Sequence, residues 1–216
     1  MGKMIRIEAN GEVLKVWINR PEKRNAISSR VMEDLETVCE KIEKERKFKA
    51  LILTGEGKVF SAGADLKEIA TLFGKAKHEF TQRAQLLLQR IEQLPLLTLA
   101  AINGHAFGGG LELALACDLR FIVPGAKIGL TEVRLGLIPA WGGTQRLPKL
   151  IKLGKAKQMI LLGEPIDATQ ALELGLVSRI CSPERLMQEA EELARSLPSD
   201  VGSRKESFLV ALGNSS

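Results

Sequence analysis

Apolar segments of strand length alternate along this chain with segments of helical periodicity, and this alternation restricts the fold more than any other feature. Two alternating runs, at 4–9 and 12–18, flank Asn10-Gly11, a dipeptide typical of a tight hairpin turn. The later runs "KALILTG" and "LLTLAAING" predict buried strands with helical segments between them. Repeated strand-then-helix order favours parallel strands joined by helical crossovers. The sequence therefore predicts an α/β fold that begins with a hairpin and continues as a mainly parallel sheet.

Caps and helix breakers locate the helices. A serine pair at 28–29 begins an amphipathic helix, and Pro95 ends another one. Beyond the helix that starts at the serine pair, helices are predicted over 76–94, 109–117, 142–153, 155–162, 167–177 and 183–196. Short strands are expected in "KVF", in "LRFIVPGAKIGL" on both sides of Pro124-Gly125, and in "SRICSP".

Length and composition suit one globular domain followed by a tail. With 216 residues, of which 45% are apolar, the chain can bury a core, and that core must be aliphatic because aromatics are only 4%. Residues 1–196 are expected to form the core domain. Residues 197–216 are rich in Ser and Gly and predict a frayed tail with one apolar piece, Phe208–Leu212.

Several classes of protein are disfavoured by what the sequence lacks. No apolar run is long enough to span a bilayer, and the start, "MGKMIRIEANGEV", lacks the apolar region of a signal peptide. Cys39, Cys117 and Cys181 are far apart and odd in number, which favours a reducing compartment and predicts a cytoplasmic protein. No metal site is expected, since only His78 and His105 are available to join the cysteines.

The net charge of +5 allows an anionic partner, either nucleic acid or a small molecule that carries phosphate groups. The alternative is a surface that is simply basic. The charges are dispersed, and the helix after the serine pair mixes Glu with Lys instead of forming a basic stripe. Nucleic acid is therefore the less favoured partner.

Two turns share one design. "SAGAD" (61–65) and "HAFGGG" (105–110) each follow an apolar strand and open a helix. Small residues let an outside group approach the backbone, and the first N–H groups of a helix have no partner inside it. If the turns lie side by side, two N–H groups converge on one oxygen and form an oxyanion hole. The alternative is that the glycines only permit tight strand–helix packing.

Two glutamates lie among apolar residues close to such turns. Glu112 follows the three glycines on an otherwise apolar helix, where burial would raise its pKa toward a value useful for proton transfer. Its alternative role is to complement the helix dipole. Glu132, in "IGLTEVRLGLIPAWGGTQR", is either a second acid–base group or an exposed loop charge.

These segments together resemble the enoyl-CoA hydratase/isomerase superfamily, also called the crotonase superfamily. The resemblance rests on "GKVFSAGADLKEI", "AAINGHAFGGGLELALACDLR" and "GLTEVRLGLIPAWGGTQRLPKLI", which occur in the family's order, and it covers residues 5–195. It implies a spiral core of repeated ββα units. "ELALACDLR" and "GGTQRLP" look most similar to hydratases of the methylglutaconyl-CoA branch.

The resemblance also implies roles for single residues. The backbone N–H groups of Ala64 and Gly109 would bind the thioester oxygen, and Glu112 and Glu132 would flank the reacting double bond and position a water. Since hydratases of the family have both glutamates, the implied reaction is hydration of a trans-2-enoyl-CoA to a 3-hydroxyacyl-CoA, as in the catabolism of fatty or branched-chain acids.

Coenzyme A would lie along "EKRNAI" (22–27) and "ADLK" (64–67), with Lys23, Arg24 and Lys67 as phosphate partners or as solvated charges. No separate cofactor is implied, because coenzyme A enters as part of the thioester. The substrate-binding residues implied in this way are Arg24, Ala26, Ala62, Asp65, Leu66, Lys67 and Ala140. The family's proteins are homo-oligomers, either trimers or hexamers.

Two features depart from the family pattern. Where the family usually has Gly followed by Gly or Ala, this chain has Ala140-Trp141. The N–H of Ala140 is still able to hold the water, and Trp141 is expected either to line or narrow the acyl pocket or to pack outside it. The family's helices that complete the coenzyme A site and the trimer contacts have no counterpart in "SRKESFLVALGNSS", so the C-terminal helical region is expected to be truncated.

The alternatives to a hydratase are another reaction of the crotonase type, namely isomerisation, decarboxylation or thioester hydrolysis, and a truncated relative without catalysis that acts as a subunit or binds RNA.

Overall fold

The computed structural model describes residues 4–213 and has the α/β architecture that the sequence predicts. Its strands are β1 (Ile5–Asn10), β2 (Val13–Ile18), β3 (Ala50–Gly55), β4 (Val59–Ser61), β5 (Leu97–Ile102), β6 (His105–Phe107), β7 (Leu119–Ile122), β8 (Lys127–Gly129), β9 (Ile166–Asp167) and β10 (Arg179–Ile180). Its α-helices are α1 (Ser29–Glu45), α2 (Leu66–Ile69), α3 (Lys75–Gln93), α4 (Gly109–Leu115), α5 (Gly143–Leu150), α6 (Leu153–Leu162), α7 (Ala168–Glu173), α8 (Leu186–Ser196) and α9 (Val201–Ala211). Short 3₁₀ helices cover Pro21–Lys23 and Glu132–Leu135.

The strands form two sheets. The larger has the order β1-β2-β3-β5-β7-β10, in which only the β1–β2 hairpin is antiparallel. The smaller has the order β4-β6-β8-β9, with β4, β6 and β8 parallel. The prediction of mainly parallel strands is confirmed.

Successive repeats of the chain supply one strand to each sheet. β3 enters the larger sheet and β4 the smaller, and the next repeats divide β5 from β6 and β7 from β8 in the same way. A helix follows the smaller-sheet strand in each repeat, which confirms the ββα spiral. The sequence did not predict β6 or β9, because runs of two or three residues are too short to show strand periodicity.

The larger sheet is covered by aliphatic side chains, as the composition requires. Ser28 caps α1 by accepting a hydrogen bond from the Val31 N–H at 3.3 Å. The buried face of α1 contacts α3, and Arg83 and Arg90 of α3 make paired hydrogen bonds to Glu36 and Glu43 of α1. These contacts fix α3, which forms one wall of the site described below.

The expectation of a frayed tail is wrong for residues 201–211, which form α9. Lys205 anchors this helix, because its Nζ donates to the Asp118 carboxylate at 2.8 Å and to the Leu96 carbonyl at 3.1 Å. Gly202 lies against the Pro95 carbonyl with no room for a side chain. The composition of serines and glycines did not predict this helix, which is held mainly by polar contacts. Phe208 on the helix stays exposed.

Two further findings concern the described range as a whole. None of its helices combines the length and the apolar character needed to cross a membrane. Cys39, Cys117 and Cys181 are buried free thiols. The predicted cytoplasmic location and the predicted homo-oligomer stay predictions.

Candidate active site

The two small-residue turns lie side by side. β4 and β6 are parallel neighbours, so the turns that follow them leave the smaller sheet at the same edge. Gly63 adopts a φ of +99°, and a Cβ placed on it would lie 2.8 Å from the Phe107 carbonyl oxygen and 3.2 Å from the Gly109 nitrogen. Only glycine allows this approach. The two turns are therefore adjacent, which is the arrangement that an oxyanion hole requires.

The backbone donors at this edge are free. Across residues 4–213, neither the Ala64 N–H nor the Gly109 N–H has a hydrogen-bond partner. Their neighbours are occupied: the Gly63 N–H donates to the Ser61 hydroxyl at 3.2 Å, and the Asp65 N–H donates to the Ile27 carbonyl at 2.9 Å. Two unpaired donors on adjacent turns can bind one oxygen that gains negative charge.

Glu112 lies on α4, one turn after these donors, and is only 1% exposed. Its Oε1 accepts hydrogen bonds from the Trp141 N–H at 2.8 Å and from the Gly143 N–H at 2.7 Å. A Cβ on Gly143 would lie 3.0 Å from the same oxygen, so a larger residue there would press on this carboxylate. The loop that carries Trp141 and the helix that carries Glu112 are thus held together through one carboxylate oxygen.

Burial raises the pKa of Glu112 to about 7. Loss of solvation is the largest cause. The hydrogen bond from Gly143 opposes it, the nearby charge of Glu132 adds to it, and the hydrogen bond from Trp141 opposes it again. A carboxyl group with a pKa near neutrality can both accept and donate a proton at physiological pH.

Glu132 begins a 3₁₀ helix and faces the same space. Burial raises its pKa, and its Oε2 is buried without a hydrogen-bond partner in the described part of the chain. Gly108 lies beside it, where a Cβ would come 3.1 Å from Oε1. A buried acceptor atom without a partner in the protein is expected to accept a hydrogen bond from a bound polar molecule. Glu132 is therefore placed as the sequence suggested, and not as an exposed loop charge.

One cavity of about 250 Å³ joins these groups. Its lining includes Ala64, Gly109, Glu112 and Glu132. Of the other residues expected at the substrate, Ala62, Leu66 and Ala140 also line it. A pocket with mostly apolar walls and a few convergent polar groups is the usual form of a small-molecule site.

The residues expected along coenzyme A lie at the rim. Segment 24–27 runs along the first turn, because the Ala62 N–H donates to the Arg24 carbonyl and the Ile27 N–H donates to the Gly63 carbonyl. Arg24 and Lys67 are exposed there, together with Lys23. The cations expected at the phosphates are thus gathered beside the cavity, although neither Arg24 nor Lys67 lines it.

Ala26 and Asp65 were expected to bind the substrate, but in the structure they make hydrogen bonds within the protein. The Asp65 carboxylate pairs with Arg20 at 2.9 Å and caps α2 through the N–H groups of Lys67 and Glu68. Burial opposes ionisation of Asp65, but the bond from Arg20 and the cap outweigh it and lower its pKa. The Ala26 carbonyl accepts from the same Arg20 at 2.7 Å. Both residues shape the turn, and neither side chain lines the cavity.

The sequence reasoning did not assign helix α3 to the site, yet Lys77, Phe80 and Thr81 of this helix line the cavity. Phe80 lies on the buried face of α3, and its ring centroid is 6.0 Å from that of Trp141. Its position on the apolar face of a predicted helix looked like ordinary core. The contact between α3 and the Trp141 loop joins residues that are far apart in the sequence, so no short motif predicts it.

The comparison with protein families agrees with this geometry. A family model described as enoyl-CoA hydratase/isomerase matches residues 8–207. The chain belongs to the enoyl-CoA hydratase/isomerase family. It is thus a crotonase-type enzyme, and the family's chemistry takes place on acyl-CoA.

Individual members of the enoyl-CoA hydratase/isomerase family are similar over most of the chain. A short-chain-enoyl-CoA hydratase of Clostridium acetobutylicum is 40% identical over 196 residues, covering 90% of this chain and 75% of the relative. A mitochondrial methylglutaconyl-CoA hydratase of Mus musculus is 38% identical over 174 residues, covering 80% of this chain and 55% of the relative. The crystal structure of an enoyl-CoA hydratase from Bacillus anthracis has a TM-score of 0.93 at 38% identity and covers 97% of this chain and 84% of that one.

The raised pKa of Glu112 has a consequence for stability. Its folded-state pKa of about 7 exceeds the ordinary 4.5, so the protonated form favours folding at low pH and this contribution is lost as pH rises through 7. Between pH 5 and pH 8, Glu112→Gln is expected to gain roughly 2 to 3 kcal/mol of unfolding free energy relative to the unchanged protein. Urea unfolding of both proteins, at one protein concentration, measures this.

Glu173→Gln is the matched control, since Glu173 is an exposed glutamate at the end of α7. Because this side chain is exposed, its replacement is expected to change the unfolding free energy little at either pH. Parallel stability curves for Glu112→Gln and the unchanged protein would contradict a carboxyl group that resists ionisation in the fold.

Proposed function

We propose that this enzyme is an enoyl-CoA hydratase, which adds water across the 2,3 double bond of a trans-2-enoyl-CoA to give a 3-hydroxyacyl-CoA. The observation that carries the proposal is the convergence of two glutamates with raised pKa and two free backbone donors on one cavity. The relatives with hydratase names support it.

The two donors would bind the thioester oxygen. As water adds at C3, charge moves through the conjugated system onto that oxygen and forms an enolate. The N–H groups of Ala64 and Gly109 are fixed before the reaction, so they stabilise this charge without reorganisation. This places C2 and C3 next to α4, where Glu112 lies.

The glutamates would handle the water and its proton. In the reaction a C3–O bond and a C2–H bond form, while the π bond between C2 and C3 and one O–H bond of water break. The open Oε2 of Glu132 is an acceptor for that water, and Glu112 has a pKa close to neutrality. With a pKa of about 7, Glu112 is present in both its ionised and its protonated form near pH 7. One glutamate would remove a proton from the water, and the other would supply a proton to C2.

Coenzyme A would extend from the thioester along segment 24–27 to the exposed cations at the rim. Lys23, Arg24 and Lys67 would bind its phosphates, and the apolar remainder of the cavity would hold the acyl chain. The proposed reaction uses no separate cofactor, because coenzyme A is part of the substrate. In this proposal the positive net charge is explained by binding of the phosphate groups of coenzyme A.

Purified protein is expected to hydrate crotonyl-CoA, seen as loss of absorbance of the conjugated thioester. Chromatography of the products from a panel of acyl-CoAs separates this from the alternatives: a moved double bond indicates isomerisation, a lost carboxyl group decarboxylation, and free coenzyme A hydrolysis. A folded preparation that leaves short-, medium- and branched-chain enoyl-CoAs unchanged would contradict the proposal.

A further inference from the structure

Trp141 lies between two cavities. The catalytic cavity of about 250 Å³ has Trp141 in its wall. A second, more open cavity of about 550 Å³ lies on the other side, between α3 and α5, and it is also lined by Trp141. Ile138 and Ala140 of the same loop line both cavities, so this loop is the partition between them.

The ring stands close to the reacting atoms. A Cβ placed on Gly109 would lie 2.6 Å from Cε3 of Trp141, so the edge of the indole covers this glycine. The N–H of Trp141 donates to Glu112. Since Gly109 is a proposed donor to the thioester oxygen and Glu112 the proposed partner of the double bond, an acyl chain that continues past C3 meets the indole within a few bonds.

The ring is also held in place. The Ala140 carbonyl accepts from the Gln85 side chain at 2.6 Å, and the Trp141 carbonyl accepts from Arg146 at 3.0 Å. Phe80 packs against the indole from α3, and Trp141 is only 5% exposed. Its backbone is fixed on both sides and its ring packs against Phe80 and Gly109, so these contacts hold the indole in the position that the structure shows.

We propose that Trp141 is the specificity-determining residue that limits this enzyme to short-chain 2-enoyl-CoA substrates, and that removing its side chain opens the catalytic cavity into the larger one. This inference rests on the proposed hydratase function and deepens it. The catalytic cavity is below the usual 300–1,000 Å³ of ligand sites, which suits a crotonyl group better than a longer chain.

The test compares trans-2-decenoyl-CoA with crotonyl-CoA in the unchanged protein and in Trp141→Ala. The substitution keeps the backbone N–H that donates to Glu112 and removes only the ring. The decenoyl group has six more methylenes, each worth about fourfold in affinity when newly buried. We expect the ratio of kcat/KM for decenoyl-CoA over crotonyl-CoA to rise by about 100-fold, allowing for incomplete burial.

Two further variants complete the series. Trp141→Phe retains part of the wall and is expected to give an intermediate ratio, which keeps the test valid if the alanine variant does not fold. Trp17→Ala removes the chain's other tryptophan, which lies on β2 under Arg6 and away from the cavity, and should leave the ratio unchanged.

Binding of saturated acyl-CoAs, measured by calorimetry, separates this inference from the function on which it rests. Decanoyl-CoA should bind the unchanged protein no more tightly than butyryl-CoA, and should bind Trp141→Ala at least about tenfold more tightly. If no enoyl-CoA is hydrated by any variant, the hydratase proposal fails, but the binding series still tests whether Trp141 limits the length of the acyl chain. The same chain-length preference in the unchanged protein and in Trp141→Ala would overturn the inference about Trp141. Efficient decenoyl-CoA hydration by the unchanged protein would overturn it as well.

Discussion

Glu112→Gln is expected to lower kcat for crotonyl-CoA hydration by about 100- to 10,000-fold, the range that a positioned acid–base group contributes. The amide still offers an oxygen to the N–H groups of Trp141 and Gly143, so the loop and α4 stay joined. What is lost is the group with a pKa of about 7 that we propose exchanges protons with the substrate. Steady-state rates from the thioester absorbance measure the loss.

Glu132→Gln is expected to show a loss of similar size, because its Oε2 is an acceptor without a hydrogen-bond partner among residues 4–213. Residues that act as one unit are not additive. The double variant should therefore lose little more than the worse single variant. Glu173→Gln, the exposed control, should keep full activity, and a Glu112→Gln protein with more than a tenth of the original kcat would contradict the assignment.

Loss of the Ala64 backbone N–H is expected to lower kcat almost as much as loss of either glutamate. Replacing Ala64 by lactic acid turns its amide into an ester and removes the N–H while the methyl side chain stays. Loss of one oxyanion donor costs about 100- to 1,000-fold in kcat. No contact within residues 4–213 uses this N–H, so the effect should fall on the rate more than on the fold. Rates and thermal unfolding of the semisynthetic protein measure the two separately.

The same replacement at Ala168, at the start of α7 and outside the cavity lining, controls for the chemistry of the ester. It should leave kcat within a factor of about three, since a single weakened carbonyl costs little. An Ala64 ester with unchanged kcat would show that this N–H does not stabilise the transition state. An unfolded Ala64 ester beside a folded Ala168 ester would assign the N–H a structural role.

Much of the fold follows from local patterns in the sequence. The hairpin forms where the sequence predicts it, although its two-residue turn is Gly11-Glu12 instead of Asn10-Gly11. Ser28 caps α1, and apolar runs such as 97–102 mark the buried strands. These signals act within a few residues, so a single sequence shows them. Helix α9 carries no such signal, because its anchor is the contact of Lys205 with Asp118, far apart in sequence.

The site was predictable to the extent that its parts are local. The glycines and Glu112 occupy one short stretch, which on its own is compatible with both tight packing and chemistry. That β4 and β6 are neighbours in a second sheet depends on the spiral, and only the family resemblance implied it. The partition role of Trp141 depends on Phe80 and Gly109, which reach it from two other elements. Sequence reasoning therefore left open whether this ring lines the pocket or lies outside it.

The measurement that tests the account most directly is hydration of crotonyl-CoA in ¹⁸O-labelled water, followed by mass spectrometry. The account predicts 3-hydroxybutyryl-CoA with the label on C3, formed by the unchanged protein and lost with Glu112→Gln. Crotonyl-CoA left unconsumed by the folded protein, or label found in free crotonic acid through thioester hydrolysis, would contradict it.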